Sequence, residues 1–383
     1  MTSSSPPMPR PSLEMLRALT DENVLRCLMS EHRLTRAEIA ARTGISRPTI
    51  SDSVRRLVAA DLVVDTGERT TGRGRVGAYY GLAPGLGAAL VVGITPRGVT
   101  AEAVDALGRV RAREETALAR DAGRQAAGDA LDSAVRRLAG RAGGRLRTAV
   151  VSAADPVDRG TGRLAHLPDA PFLVGDLDPP DVLAPYVGGD GTVLVDNDVN
   201  WAARAERAEG CARGVDDFVY LHLGEGLGGA VVCDGEVRRG DHGFAGEIAH
   251  LYVPGPGGGA LPLTEVFAAL GLRRPGSTAI DVAALRARLT APGDRAVRTA
   301  LADAIGAVVA AAVAFADPRT VVVGGGWGPA LVPALDDRFR HGPRPVPVRA
   351  AGLPAPELTG ARAHAVDRLR ALVVHSAHPA LTT

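Results

Sequence analysis

The stretch TRAEIAARTGISRPTISDSVRRLV, residues 35–58, holds two short helices and the break between them. Thr35 followed by Glu38 is a capping box that opens the first helix. Gly44 can close it, and Ser46 can cap the next. Ile50, Val54, Leu57 and Val58 fall at i, i+4, i+7 and i+8, one apolar stripe along the second helix. Two helices joined by a tight turn through Gly44-Ile45-Ser46 predict a helix-turn-helix, whose second helix can protrude into a major groove about 12 Å wide. The stripe leaves Arg47, Thr49, Ser51, Asp52 and Arg55 on the open side. Arg47 and Arg55 suit guanine edges or phosphates, Thr49 and Ser51 suit phosphate or base contacts, and Arg36 joins them as a candidate DNA contact. Asp52 is awkward beside phosphate; it can accept from a cytosine amino group or orient an Arg.

Toward the N-terminus, Val24, Leu25, Leu28 and Met29 form the stripe of a preceding helix. On the other side, GERTTGRGRVGA (67–78) lies between β-formers at 62–64 and 79–82, which predicts a small hairpin, a wing. Its Arg73-Gly74-Arg75 is slim and cationic, a shape that enters a minor groove. Residues 33–75 hold nine Arg against five acids in a chain whose formal net charge is +1. The expected organisation is a disordered tail (1–12), a winged helix-turn-helix domain (13–84) and a second domain (86–376). From Leu86 onward strand-like runs at 88–94, 147–152, 192–196, 217–223, 228–233 and 320–323 alternate with helical stretches near 121–140, 199–209, 280–289, 295–316 and 361–374. That pattern predicts an α/β fold and fits two similar lobes.

Composition narrows the chemistry. With 383 residues, 46% hydrophobic and 23% charged, the chain is globular and long enough for two or three domains. All 44 basic residues are Arg, which excludes a Walker-type phosphate loop and a Schiff-base Lys. Cys27, Cys211 and Cys233 are scattered, so neither a disulfide framework nor a Cys-based zinc site is expected. The longest uncharged apolar run, between Asp303 and Asp317, is shorter than the ~20 residues of a membrane span, and the Ser/Pro-rich start lacks the apolar core of a signal peptide. A soluble cytoplasmic protein is expected.

Four further segments occur in order behind the winged helix: VDNDVNWAARAE (195–206), LGEGLGGAVVCDG (223–235), GFAGEIAH (243–250) and VVVGGG (321–326). Together with TRAEIAARTGISRPTIS and GRGRVG (72–77), they resemble the repressor branch of the ROK family (repressors, open reading frames and sugar kinases), the xylose and N-acetylglucosamine repressor type. The resemblance implies a two-lobed, actin-like, ribonuclease H-like domain with a sugar cleft between the lobes. In the family an Asn-Asp pair touches the sugar, and in the kinases the Asp activates its hydroxyl; the matching positions are Asn197 and Asp198. Glu247 and His250 match further sugar contacts, and Glu265 is a weaker candidate. Amide, carboxylate and imidazole groups do suit a hydroxyl-rich ligand. Asn197 or Asp198 can equally well cap the helix that follows.

Three departures from the family's kinases point away from catalysis. Where they carry Asp-x-Gly-Gly-Thr after the first strand, this chain has Thr95-Pro96-Arg97-Gly98-Val99, in which Pro96 cannot donate and Arg97 crowds the backbone. Glu225 stands in the second phosphate loop where a Thr is usual, and a carboxylate repels triphosphate. The stretch 251–265 lacks the Cys cluster that holds the family's structural zinc, and His250 alone does not hold the metal. No catalytic residue, metal or cofactor is therefore expected. The expected protein is a winged-helix regulator, most simply a homodimeric repressor of carbohydrate or secondary metabolism genes, with tetramers left open. Its partners are a double-stranded DNA operator and a sugar-like effector, with no membrane. The rival expectations are an ATP-dependent sugar kinase with an appended DNA-binding domain and a ligand-blind DNA-binding dimer.

Overall fold

The computed structural model describes residues 12–71, 76–119, 122–167, 176–188 and 191–378. The sequence expectations placed on residues 1–11 and on Arg73 and Arg75 lie outside the described residues.

Ser12 caps helix α1 (Leu13–Glu31), its Oγ accepting from the Met15 amide at 3.1 Å. Strand β1 (Arg33–Thr35), helix α2 (Arg36–Thr43), helix α3 (Arg47–Ala59) and strands β2 (Val63–Arg69) and β3 (Ala78–Leu82) follow. The capping box forms: Thr35 Oγ1 accepts from the Glu38 amide at 3.2 Å, while Glu38 Oε2 accepts from the Thr35 amide at 2.8 Å. Gly44 ends α2 in the left-handed region, at φ 70. The strands make an antiparallel sheet of order β1-β3-β2, so the hairpin is the predicted wing. Val24, Leu25, Leu28, Ile39, Ile50 and Leu57 are fully or almost fully buried. One member of the predicted stripe is corrected: Val58 is 38% exposed. Ser53 is buried instead, because its hydroxyl donates to the buried carboxylate of Asp21.

The next part of the chain is built twice on one plan. In the first lobe, β4 (Ala88–Thr95), β5 (Gly98–Val104), β6 (Val110–Ala117), helix α4 (Arg124–Ala139), β7 (Leu146–Ala153), helix α5 (Pro179–Leu183) and β8 (Val193–Asn197) give a sheet of order β6-β5-β4-β7-β8. The first three strands are antiparallel and β4, β7 and β8 parallel. Helix α6 (Asp198–Ala208) leads into the second lobe, where β9 (Phe218–Leu223), β10 (Leu227–Cys233) and β11 (Glu236–Val237) form the antiparallel part. A small ribbon of β12 (Tyr252–Pro254) and β13 (Ala260–Pro262) stands apart, followed by α7 (Leu263–Ala269), α8 (Val282–Thr290) and α9 (Arg295–Ala316). Then come β14 (Thr320–Gly324), α10 (Val332–Arg340), β15 (Val348–Ala350) and α11 (Pro356–Ala377). The second sheet runs β11-β10-β9-β14-β15, the order and sense of the first.

Strand periodicity decides what covers each sheet. Leu90, Val92 and Ile94 of β4 pack with α4, whereas Ala89 and Val91 share a core with Val366, Leu369 and Val373 of α11. In the second lobe Val219, Leu221 and Val323 join the α9 core, and Phe218, Tyr220 and Val322 face α6. Helix α9 is long and apolar enough to cross a membrane by length and composition, but it packs Leu301, Ile305, Val308 and Val309 into that core. Helices α6 and α11 lie against each other between the lobes. Their approach requires Gly360, where an added Cβ would run into the Trp201 carbonyl. Trp201 in turn donates its Nε1 proton to the Val151 carbonyl of β7 at 3.0 Å.

Helix α11 also carries the winged-helix unit. Val24, Leu28, Ile50 and Tyr80 belong to the same continuous apolar core as Val91, Val150 and Val373. Arg370 donates to the Ala106 carbonyl at 2.9 Å and to the Met29 carbonyl at 3.3 Å, so one guanidinium ties α1 to the first lobe.

Candidate functional site

Two surfaces gather the residues singled out by the sequence. The first is the open face of α3. Its N-terminus is fastened by Ser46, whose Oγ accepts from the Thr49 amide at 3.4 Å and lies 2.8 Å from Thr49 Oγ1. Arg47 is exposed at the first position of the helix, Ser51 is half-buried, and Arg55 stands out one turn further along. Asp52 Oδ1 accepts from Arg55 Nη2 at 2.7 Å, so this carboxylate orients an Arg. Arg36 lies half-buried with its guanidinium 4.8 Å from the centre of the Tyr80 ring, a cation–π contact that holds it against the wing.

The second is a cavity of about 300 Å³ between the lobes. The first lobe contributes Thr95 and Arg97, the lobe junction contributes Asn197 and Asp198, and the second lobe contributes His222, Glu225 and Glu247. Glu357, from the first turn of α11, closes the ring. Asn197 and Asp198 stand where β8 passes into α6, because the Asn197 side chain caps the helix: Oδ1 accepts from the Val199 amide at 3.0 Å. Its Nδ2 donates to the Asp155 carbonyl at 3.1 Å. Both ends of the amide thus hold backbone while Asn197 lines the cavity.

The carboxyl groups are electrostatically unusual. Removal from water, reinforced by Glu357, Asp155 and Glu247, raises Asp198 to about 8. Burial and then the neighbouring Asp155 raise Glu247 to about 7, and burial alone raises Asp155 to about 7. His222 is pushed down to about 4 by burial, so its imidazole is neutral near pH 7 and supplies no counter-charge.

Of the ligand residues predicted from sequence, the fold brings Asn197, Asp198 and Glu247 to one cavity. His250 ends a 3-10 turn (Ile248–His250) on the exposed surface, away from the cavity lining. Glu265 lies on α7, where Oε1 accepts from Arg273 Nη2 at 2.9 Å, also away from the lining. Sequence reasoning missed Asp155, His222 and Glu357. A signal existed for Asp155, which lies two residues past β7, at the end of the sheet where Asn197 ends β8, and ligands gather at such carboxyl ends of parallel strands. Glu357 had no local signal, since only the fold returns the last helix to the cleft.

The loops matching the kinases' phosphate loops are closed on themselves. Thr95–Gly98 is a tight hairpin turn in which the Arg97 amide donates to Thr95 Oγ1 at 3.3 Å. In the second loop the Gly224 amide donates to the Gly226 carbonyl at 3.0 Å. Glu225 Oε1 accepts from Arg274 Nη2 at 3.1 Å, so its repulsion of a triphosphate is smaller than the sequence implied. Downstream of His250, the chain forms the β12–β13 ribbon, which has no thiol. The residues present there do not fit a four-coordinate structural zinc, and among the described residues no cluster of three or more His, Cys, Asp or Glu is arranged to hold a metal.

Comparison with known proteins agrees with this architecture. Residues 91–270 match the ROK family and residues 17–64 match the winged helix-turn-helix DNA-binding family. The chain is 35% identical over 141 residues to the bifunctional enzyme NanE/NanK of Brucella suis biovar 1, a match covering 36% of this chain and 26% of that protein. It therefore spans about a quarter of the length of the first curated relatives it matches. The fold is similar to that of a ROK family transcriptional regulator, a homolog of the E. coli MLC protein, with TM-score 0.63, 17% identity, and coverage of 94% of this chain and 99% of that one. It is also similar to a ROK family glucokinase from Streptomyces griseus in complex with glucose and AMPPNP, with TM-score 0.53, 26% identity, and coverage of 73% and 99%. A unit that matches the winged helix-turn-helix DNA-binding family is thus joined to a two-lobed domain of which residues 91–270 match the ROK family.

Proposed function

We propose that this winged-helix ROK chain is a DNA-binding transcriptional regulator, most simply a repressor of carbohydrate or secondary metabolism genes, whose ROK domain senses a sugar-like effector without phosphorylating it. The observation that carries the reading is helix α11. It begins at the cleft with Glu357 and runs to the reading head, where it shares a core with α1 and α3. A ligand that favours one lobe arrangement would bias α11, and with it the pose of α3; the free energy comes from differential affinity for the two states. Arg47, Thr49, Ser51 and Arg55 would face DNA, with Arg36 at the edge and Arg73 and Arg75 at the wing tip. Asn197, Asp198 and Glu247 would serve the effector; His250 and Glu265 drop out of the proposed contacts. The domain would work without zinc.

A homodimer would suit a pseudo-palindromic operator. Self-association is supported by Phe315 of α9, 93% exposed, and Tyr252 of β12, 73% exposed, on elements that pack against each other. Phe315→Arg is expected to shift the mass measured by light scattering toward monomer.

The decisive experiment is binding to DNA from immediately upstream of the protein's own gene, against a scrambled fragment, across a salt series with a sugar panel. Selective binding that a sugar changes supports the regulator with a working sensor. Selective binding untouched by any sugar leaves a ligand-blind regulator. Equal, salt-labile binding to both fragments overturns the reading for that operator.

A further inference from the structure

The cleft gathers more carboxyl groups than a neutral sugar needs. Asp198, Glu225, Glu247 and Glu357 line it. Next to the lining residue Ala154 lies Asp155, 3% exposed, whose backbone carbonyl accepts from the lining residue Asn197. Among the described residues its carboxylate receives no hydrogen bond. It lies close enough to Asp198 and Glu247 to raise both. The charged groups on every side are few. Arg97 stands on the β4–β5 turn at the exposed rim, Arg274 is held by Glu225, and His222 of β9 is neutral. A buried carboxylate without a hydrogen bond or counter-ion is expensive, so either it stays protonated or something positive arrives to face it.

We infer that the cleft is built for a polyhydroxylated ligand bearing a protonated amine, an amino sugar or aminocyclitol, with its ammonium facing Asp198 and Glu247 in the cavity wall and Asp155 behind them. The inference rests on the cleft being the effector site proposed above. An ammonium offers three donors to groups that are acceptors once ionised. A phosphorylated or carboxylated sugar would enter against four carboxyl groups in the wall, with Asp155 behind them. A bare metal ion is disfavoured because no cluster of donors among the described residues is arranged to hold one. A cavity of about 300 Å³ also matches a ligand at the small end of ordinary sites.

Binding of the cation would draw protons off Asp155, Asp198 and Glu247. Affinity for the amine should therefore rise from about pH 6 toward neutrality and fall again once the amine itself loses its proton at about pH 8, while affinity for its neutral counterpart should show no such maximum. The test is calorimetry and thermal unfolding of the full-length protein with matched pairs: glucose against glucosamine and galactose against galactosamine. Glucose 6-phosphate and magnesium chloride serve as further probes. At least one amino sugar is expected to bind about tenfold or more tighter than its neutral partner, releasing protons seen as buffer-dependent heat. Asp155→Asn and Glu247→Gln should each reduce that preference while the protein stays folded. Equal or better binding of the neutral sugar, or of the phosphate, overturns the inference and leaves a sugar-responsive regulator standing. Stabilisation by magnesium that amino sugars compete away overturns it in favour of a metal. No binding by any probe, with operator binding intact, overturns both this inference and the effector reading. Amino-sugar binding that leaves operator affinity unchanged upholds the inference and removes the effector reading.

Discussion

His378 Nε2 and Asp21 Oδ2 lie 2.9 Å apart although 357 positions separate them in the chain. The Asp21 carboxylate is 2% exposed and also accepts from Arg56 Nη2 at 2.6 Å and Nε at 3.2 Å, and from Ser53. One buried carboxylate thus joins α1, the reading helix α3 and the residue that ends α11. Removing one partner of a buried charged network costs about 3–5 kcal/mol, because the other charges are left uncompensated. Asp21→Ala should destabilise the DNA-binding unit by an amount in that range, read by chemical denaturation. His378→Ala, which leaves Arg56 and Ser53 in place, should cost less. An Asp21→Ala protein as stable as the parent would show that the network contributes nothing.

Arg47 is exposed at the start of α3, and Arg55 is steadied by Asp52. Replacing either with Ala should weaken operator binding by about 1–3 kcal/mol if it reads a base. Equal weakening on operator and scrambled DNA would mark it as a phosphate contact. Asp52→Ala should reduce discrimination more than overall affinity, because it frees Arg55 to swing toward any phosphate.

Without ligand, the protein should lose stability as pH rises. Asp155 and Glu247 titrate near 7 and Asp198 near 8 in the folded protein, above ordinary carboxyl values. For these three groups the native state binds more protons than the unfolded chain as pH rises to 8, so their linkage slope is negative; His222, lowered to about 4, opposes them below its ordinary value of 6.5, and the fall should be clearest between pH 6.5 and 8. Denaturation at pH 5, 6, 7 and 8 should show this fall, and Asp155→Asn should flatten it. A flat profile for the parent would mean that the carboxyls keep ordinary values.

The proposed absence of kinase activity is open to direct trial. With Thr95–Gly98 closed as a hairpin turn and Glu225 in the second loop, ADP release in the presence of ATP, magnesium and the sugar panel should stay at background. Sugar-dependent ADP formation that disappears in Asp198→Asn would restore the kinase reading.

Helix α11 can lie on α6 only because residue 360 has no side chain. Gly360→Ala sets a Cβ against the Trp201 carbonyl. Overpacking of this kind typically costs 1–3 kcal/mol. The change should also loosen any coupling between cleft and reading head, seen as operator binding that responds less to effector. Unchanged stability and response would argue against α11 as the connection.

Local chemistry determined much of this protein. Thr35 with Glu38, Gly44, Ser46 and the stripe of Ile50, Val54 and Leu57 specify helix ends and a buried face from neighbours a few positions apart, so the helix-turn-helix was legible directly. Interior parallel strands such as β7 and β14 were legible too, because burial on both faces makes them almost wholly apolar. Strand β6 was not: it is an edge strand whose sequence VRAREETA buries Ala112 alone. The cleft was legible in part. Asn197, Asp198 and Glu247 sit in recognisable segments, whereas His250 and Glu265 share those neighbourhoods and end up elsewhere, because a turn of backbone decides which way each side chain faces. Tertiary structure alone decided the rest. It set Asp155 and Glu357 beside Asp198, gave Glu225 its Arg274 and placed Asp21 against His378. Those relations bring distant parts of the chain together, and their electrostatics depend on burial, which exists only once the lobes and the last helix have closed over them.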